Sequence, residues 1–531
     1  MKDNRTLALI AAVILVLAPA GTFLAAQDSK PASITPATMS RIGSVDERFQ
    51  SYNIEMVEVT GGRFWKPYAS KADGPPPASQ PSSNQPAGMD PSLYQYRAPI
   101  DLTNARLRKL AAALGPAYLR VSGTWANTTF FQNSSDSAPS TSPKGFNGVL
   151  TRSQWKGVVD FSHAVNAEIV TSFAISPGTR NANGVWTADQ AQQIVDYTRS
   201  IGGRIAAAEF MNEPNIAAIG GAPKGYDAAA YGRDVAVFHA FAKQAIPGMI
   251  FLGPGSAGEG TLMTPPTMMG LNTSHDLLTA TGPVFDAFSF HSYGAVSSRC
   301  GTFGATATTT ADAALSEEWL ARPDRIIGFY AAIRDQFEPG KPLWNTETAQ
   351  TACGGDRWAS TFLDSFRYLN QLGLSAKRGV QVHMHNTLAA SDYGLLDENS
   401  YTPRPNYWAA LLWHKLMAET VLDPGSSPAL SLHIFAQCLR NHPGGVALLV
   451  INASHDAEQK LVLPTAFDRY TLTAEQIQDT RVLLNGVELQ LGANDALPEL
   501  NGTRGQRGTV TFAPVSITFL ALANAHNASC Q

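Results

Sequence analysis

The sequence carries no run of basic residues beyond isolated Lys/Arg pairs, and only 15% of its 531 residues are charged, with 39 Lys+Arg against 43 Asp+Glu. A net charge of -4 spread this thinly excludes nucleic-acid binding by bulk electrostatics. Cysteine is equally scarce. There are four, Cys300, Cys353, Cys438 and Cys530. None stands in a CxxC or Cys/His spacing, so zinc bound through cysteine has no sequence support. Beyond the N-terminus no apolar stretch is long enough to span a bilayer. What remains is a 44% apolar chain, long enough for one large core and a smaller domain.

At the N-terminus, Lys2 and Arg5 precede "LALIAAVILVLAPAG", and "FLAAQDS" offers small residues for cleavage near Ala26. Residues 1–26 therefore read as a signal peptide of a secreted or periplasmic protein, with no membrane attachment once it is removed. The rival is an uncleaved anchor, but Pro19 and Gly21 interrupt the apolar run. An even cysteine count in an exported chain suits disulfides, and four cysteines allow three pairings. Asn-x-Ser/Thr acceptors stand at Asn127, Asn133, Asn272, Asn452, Asn501 and Asn527.

Residues 27–44 are polar and irregular, with room for a strand of a later β-domain. "FQSYNIEMVEV" reads as a strand, and residues 74–97, including "GPPPASQPSSNQPAG", as a long exposed loop. From there strand and helix patterns alternate. Strands "AYLRVSG", "EIVTSFAIS", "IAAAEFMN", "MIFLGPG", "AFSFHSYG", "PLWNTETA" and "GVQVHMHN" are separated by helical periodicities, the last helix running over "NYWAALLWHKLMAETV". Eight strands with helical crossovers imply an α/β fold, a parallel (β/α)8 TIM barrel over residues 45–421, with its active residues at the C-terminal strand ends. Residues 422–531 change texture to strands with turn signals, an antiparallel β-sandwich. Cys438 and Cys530 lie in its first and last parts, so a bridge stapling the sandwich is natural. Cys300 and Cys353 would then pair beyond the sixth and seventh strands.

"IAAAEFMNEPN" carries an apolar run into Asn212-Glu213-Pro214-Asn215. On the barrel reading Glu213 ends the fourth strand, and Pro214 stops that strand and biases Glu213 towards extended backbone. "PLWNTETA" puts a second carboxylate, Glu347, at the end of the seventh strand. Two carboxylates on nearby strand tops can flank one glycosidic bond, one protonated to assist the leaving oxygen and one ionised to attack the anomeric carbon. Asn212 beside the acid can bond a sugar 2-hydroxyl, and Tyr293 can orient Glu347.

These residues resemble glycoside hydrolase family 79, whose members include heparanase and bacterial β-glucuronidases. "NEPN" is similar to its acid/base motif and "LWNTETAQTACGG" to its nucleophile segment. "GLSAKRGVQV", "YGLLDENSYTPRPNYW" and "LHIFAQC" match further segments. The resemblance implies Glu213 as acid/base and Glu347 as nucleophile. It implies that the backbone N–H groups of Gly354 and Gly355, with Tyr393, hold a uronate carboxylate, as neutral donors can. Glu55, Thr124, Asn212 and Tyr293 match sugar-contacting positions, Glu55 standing where the family has aspartate. The segment from Glu347 to Gly354 is one residue longer than in heparanase and carries Cys353.

The expected activity is therefore retaining, exo-acting removal of terminal β-linked glucuronic acid from a glycan or glycoside, without cofactor or metal. An endo-acting, heparanase-like glycosaminoglycan hydrolase is the alternative. Such an enzyme needs basic clusters along its groove, which this chain lacks, while the 74–97 loop offers a wall for an exo site. A catalytically silent secreted glycan-binding protein is a second alternative, set against the presence of both carboxylates. His383 and His385 form an H-x-H, read as packing rather than a metal site, as is His291. Trp125, Trp344 and Trp358 lie near strand ends, where stacking on sugar competes with a place in the core. Oligomeric state has no signature in the sequence.

Overall fold

A computed structural model describes residues 31–68, 90–139, 141–261, 271–303 and 307–531. The expected leader at 1–26 and the greater part of the 74–97 loop lie outside these residues.

Eight parallel strands close into a barrel: β1 (Gln50–Glu55), β2 (Ala117–Ser122), β3 (Ala167–Ser172), β4 (Ile205–Glu209), β5 (Ile250–Ala257), β6 (Ala287–Ser292), β7 (Leu343–Thr348) and β8 (Val380–His385). Each pairs with its sequence neighbour, and β8 closes on β1 with His383 opposite Gln50. Each strand is followed by at least one helix, ending with Phe362–Lys377 after β7 and Pro405–Leu416 after β8. Local chemistry starts several of them. Asn104, Thr151 and Asp227 accept the backbone N–H groups of Leu107, Gln154 and Ala230 at 3.1, 3.2 and 2.8 Å. Each satisfies a first-turn donor that the helix itself cannot.

The barrel interior is layered, because alternate residues of each strand point inward. Tyr118, Val170, Ala207, Leu252, Ala287, Trp344, Val382 and Met384 pack as an apolar plug. The Tyr118 and Trp344 rings lie 4.8 Å apart within it. One inward position further along, the same strands change character: Arg120, Glu209, Ser289 and Thr346 are all buried. This step from apolar to polar is where the strands become a site.

His383 and His385 pack outside this interior, against the helix Phe362–Lys377. The His383 Nδ1 lies 3.1 Å from Ser375 Oγ, and the His385 Nε2 2.8 Å from the Tyr393 carbonyl. Burial pushes their pKa values down to about 3 and about 4, so both are neutral packing groups at ordinary pH.

Two sheets form the β-sandwich. The larger has nine strands and includes Met417–Leu422, Leu432–Leu439, Val446–Asn452, Phe467–Thr473 and Ser516–Leu522. The smaller joins Ala32–Ser33, Gln459–Leu463 and Gly508–Phe512, the first of these pairing in parallel. The N-terminal segment thus adds one strand here, and another, Arg41–Ser44, to the larger sheet. Val446–Asn452 is buried throughout, since Leu448 and Val450 face the small sheet while Leu449 and Ile451 join the barrel's core. That double burial is why its sequence is continuously apolar rather than alternating.

Both disulfides form: Cys438–Cys530 ties the sandwich, and Cys300–Cys353 joins the loops after β6 and β7. Among the acceptor asparagines, Asn127, Asn452 and Asn527 are buried and engaged in hydrogen bonds.

Three local expectations are corrected. "FQSYNIEMVEV" is not one strand: the chain turns at Glu55 into the helix Met56–Thr60. The last helical pattern stops at Leu416, and Met417–Leu422 extends into the large sheet, which the β-branched and sheet-paired residues there favour over another helical turn. Within 74–97, the described residues Tyr94–Arg97 are a strand paired with Gly62–Trp65 rather than an exposed loop, with Tyr94 buried.

Candidate active site

β4 ends at Glu209, and Glu213 stands four residues further on. Its backbone is left-handed, with φ 49°, not extended as Pro214 alone suggests. Non-glycine residues rarely occupy this region, and holding one there costs about 1–3 kcal/mol. Two buried asparagines hold the segment. Asn127 donates to the Asn212 carbonyl at 3.0 Å and accepts from its N–H at 2.9 Å. Asn215 donates to the Ala257 carbonyl at 2.7 Å and accepts from the Ala257 N–H at 3.0 Å. These side chains replace the sheet's own ladder, and the bend between them turns the Glu213 carboxyl back over the barrel.

Arg120 is the hub beneath it. From β2 its guanidinium donates to Glu209 Oε2 at 2.8 Å, to Glu347 Oε2 at 2.9 Å and to Asn212 Oδ1 at 2.8 Å. It is 1% exposed, so these contacts are what make its charge tolerable there. Burial would raise Glu209, but Arg120 and then His291 outweigh it and hold that carboxyl below its usual range. The hydroxyls of Ser289 and Thr346 donate to its other oxygen, both at 2.8 Å. Glu209 is thus a fixed counter-charge for Arg120.

Glu347 receives a second donor, the Tyr293 hydroxyl, at 2.7 Å on Oε1. Both of its oxygens accept hydrogen bonds, as an ionised carboxylate can. Glu213 is placed differently. Among the described residues its Oε1 meets only His291 Nδ1, at 3.0 Å. Burial raises its pKa most, the His291 hydrogen bond opposes that, and the Glu347 charge adds to it, with a net upward shift. A carboxylate oxygen of each glutamate and a His291 ring nitrogen all lie within 4.8 Å of one another. The Arg120 guanidinium already supplies a positive charge to this cluster, which a metal ion would have to displace.

The His291 imidazole is pulled down by burial, but Glu347 and the Glu213 hydrogen bond outweigh that and shift it upwards. Arg120 Nη2 lies 3.2 Å from Nε2 and can only donate. In the neutral ring the proton therefore sits on Nδ1, directed at Glu213. His291, read from the sequence as packing, lies at the centre of the site.

The remaining expected residues surround this core. Asn386, at the end of β8, donates to Glu55 Oε1 at 3.1 Å and lies 3.2 Å from the Tyr293 hydroxyl and 3.3 Å from that of Tyr393. Burial, then the Glu347 charge, raises Glu55 well above the usual carboxyl range. Gly123, with φ +90°, makes room for it, since a Cβ there would fall 1.5 Å from Glu55 Oε2. Thr124 Oγ1 is 3.5 Å from Asn212 Nδ2. Gly354 and Gly355 both adopt positive φ, and their backbone N–H groups have no partner within the chain among the described residues. Their carbonyls are held by Ser391 Oγ at 2.9 Å and Ser297 Oγ at 2.8 Å. Gly354 lies against Trp65 and Gly355 against Tyr393. All nine expected site residues therefore converge on one mouth of the barrel. Trp125, Trp344 and Trp358 do not take part as stacking surfaces, being 4–5% exposed and packed in the core.

Sequence reading gave no site role to Arg120, Glu209, Asn127 or Asn386. For the first two a signal existed: a charged residue inside a short apolar strand, "AYLRVSG" and "IAAAEFMN", has to meet an opposite charge.

The family described as glycosyl hydrolase family 79, N-terminal domain, matches residues 96–373. Hyaluronoglucuronidase of Hirudo nipponia is 25% identical over 505 residues, covering 86% of this chain and 97% of that protein. Baicalin-beta-D-glucuronidase of Scutellaria baicalensis is 33% identical over 177 residues, covering 32% of this chain and 33% of its own length, so the match spans a third of that relative. Among solved structures, the 4-O-alpha-L-rhamnosyl-beta-D-glucuronidase of Fusarium oxysporum 12S superposes with a TM-score of 0.58 at 14% identity, covering 93% of this chain and 99% of that one. At that identity the likeness is one of fold.

Proposed function

Because the chain belongs to glycosyl hydrolase family 79, we propose that it is a retaining exo-β-glucuronidase that removes terminal β-linked glucuronic acid by double displacement. The observation that carries this reading is the unequal treatment of two carboxyls within 4.8 Å of each other. Glu347 accepts from Arg120 and Tyr293, whereas Glu213 is buried and shifted towards its acid form. Glu347 attacks the anomeric carbon while Glu213 protonates the departing oxygen. Glu213, now ionised, then takes a proton from the water that hydrolyses the glycosyl-enzyme. The short separation supports retention, since inversion needs about 6.5–9.5 Å to admit a water between the carboxyls. The Nδ1–H of His291 engages Oε1 of Glu213, which leaves Oε2 to carry the transferred proton.

The partner-free amides of Gly354 and Gly355, with the Tyr393 hydroxyl, are the groups proposed to take the uronate carboxylate. Asn212 and Glu55 are proposed to contact the sugar hydroxyls. The two disulfides support an exported protein, secreted or periplasmic. No helix among the described residues is long and apolar enough to cross a membrane. The relative named baicalin-beta-D-glucuronidase supports a glucuronide substrate, while the near-full-length alignment with the hyaluronoglucuronidase keeps a heparanase-like endo-β-glucuronidase acting on glycosaminoglycan as the second reading.

Assay of the purified protein on 4-nitrophenyl β-glucuronide and β-glucoside, beside Glu347→Ala, tests the reading. Hydrolysis of the glucuronide alone, abolished in the variant, is expected. A folded protein that hydrolyses neither would overturn the exo reading and direct attention to longer polysaccharides.

A further inference from the structure

The proposed site sets an electrostatic problem. Glu209 and Glu347 share a single guanidinium, that of Arg120, and the proposed substrate is itself an anion. The carboxylate holders, two backbone amides and a phenol, carry no charge. These donors can hold a uronate once it is seated, but long-range attraction for it has to come from outside this set.

One rim of the mouth supplies it. Tyr68 is tied to the proposed carboxylate-binding elements on both sides. Its N–H donates to Asp392, the neighbour of Tyr393, at 3.1 Å. Its hydroxyl lies 2.9 Å from Ser297 Oγ, which in turn donates to the Gly355 carbonyl at 2.8 Å. Two guanidiniums lie on its ring, Arg299 at 3.9 Å and Arg357 at 4.5 Å from the centroid. They are not equivalent. Arg299 is largely buried and is paired with Asp392. Arg357, two residues after Gly355, is exposed and has no hydrogen bond or ion pair among the described residues. The half-buried Lys66 ammonium is likewise unpaired, while Arg299 caps the Lys66 carbonyl. Against these three cations stand Asp392 and Asp356. The latter is 4% exposed, and Ser298 and Tyr68 donate to its Oδ1. Among the described residues the rim is therefore net positive, and its uncompensated charge is at the surface.

We propose that Arg357, seated on the Tyr68 ring, is a specificity-determining residue that draws the uronate carboxylate towards the Gly354–Gly355 amides. This rests on the β-glucuronidase reading. The ring contact limits where the guanidinium can go at small cost in charge, since a cation over an aromatic face is attracted to it. Arg357 acts at a distance through its field, so its contribution is screened by salt over about 10 Å at 0.1 M. It makes no contact with the reacting atoms and should leave the chemical step alone.

The test measures kcat and KM on 4-nitrophenyl β-glucuronide from about 20 to about 500 mM NaCl, over which the screening length shortens about fivefold, for wild type, Arg357→Gln, Arg357→Lys and Arg507→Gln. Arg507 is an exposed cation of the sandwich and controls for net charge. Expected for Arg357→Gln is a KM rise of about fivefold at low salt, with kcat retained and the gap closing at high salt. Arg357→Lys, which keeps the charge, should recover most of it, and Arg507→Gln should match wild type. An unchanged KM at low salt, a salt-independent loss, or an equal effect of Arg507→Gln overturns the proposal. Should wild type hydrolyse no glucuronide, the activity reading fails on its own. Titration of glucuronate into wild type and Arg357→Gln then decides this proposal: weaker binding to the variant supports it, and equal binding overturns it.

Discussion

Two layers of one barrel interior, built from the same strands at successive inward positions, have opposite natures. Tyr118 gives way to Arg120 on β2, Ala207 to Glu209 on β4, Ala287 to Ser289 and His291 on β6, and Trp344 to Thr346 on β7. Both layers are fully buried. The lower one needs only complementary shape, and any apolar set of similar volume satisfies it. The upper one is a set of charges in which each member depends on another: Arg120 on Glu209 and Glu347, Glu213 on His291, and Glu55 on Asn386. Burial is thus used for stability below and for tuning protonation above.

Breaking the two layers should give separable results. The largest effect is expected from Glu213→Gln, a loss of about 10³-fold in kcat/KM on substrates with poor leaving groups. The loss should be smaller on 4-nitrophenyl glycosides, whose leaving group needs little protonation; steady-state kinetics on both checks this. The same variant should abolish the alkaline limb of the pH–rate profile. In wild type that limb reports loss of the Glu213 proton and lies above the 4.5 of an ordinary glutamate.

Arg120→Met should destabilise the fold by about 3–5 kcal/mol, because it strands buried Glu209 and Glu347, and should lower kcat per folded molecule as well. Trp344→Ala, in the lower layer, should cost a similar 3–5 kcal/mol through the cavity it leaves while kcat per folded molecule is retained. Denaturant melts paired with active-site titration distinguish the two. If both variants lose turnover alike, the layers are not separable.

Glu58 gives a subtler test. It is fully buried beside β1, 3.7 Å from Arg97, and burial pushes its pKa up to about 7. The folded state therefore holds a proton that the unfolded chain releases near 4.5. Its contribution is complete below that pH and lost as pH rises towards 7, a decline of about 3 kcal/mol at most. Glu58→Gln should flatten the stability–pH curve across that window, as thermal melts would show. The smallest expected effect is that of Tyr293→Phe. Removing one hydrogen bond to a carboxylate should cost about 1.5–3 kcal/mol in activation energy, read as a fall in kcat.

What the sequence made legible follows from how local each feature is. Strand–helix alternation announces a barrel because every unit carries its own periodicity. Glu213 and Glu347 stand out because proline and the strand pattern mark the strand ends. The left-handed backbone at Glu213 was not legible, since it is imposed by Asn127 and Asn215, side chains that gain meaning only once the loops after β2 and β4 and the end of β5 meet at one mouth of the barrel. His291 and Arg120 were passed over for a related reason: on their own strands they are single polar residues, and their role consists of partners on other strands. At Met417 the helical pattern overran because the same apolar residues can serve a helix face or a strand within a sheet.

The most direct test of the central claim is the stereochemistry of the first product. Hydrolysis of 4-nitrophenyl β-glucuronide followed by proton NMR from the first turnovers should show β-glucuronic acid appearing before mutarotation produces the α anomer. Initial release of the α anomer would show inversion and contradict the assignment of Glu347 as a nucleophile acting beside Glu213.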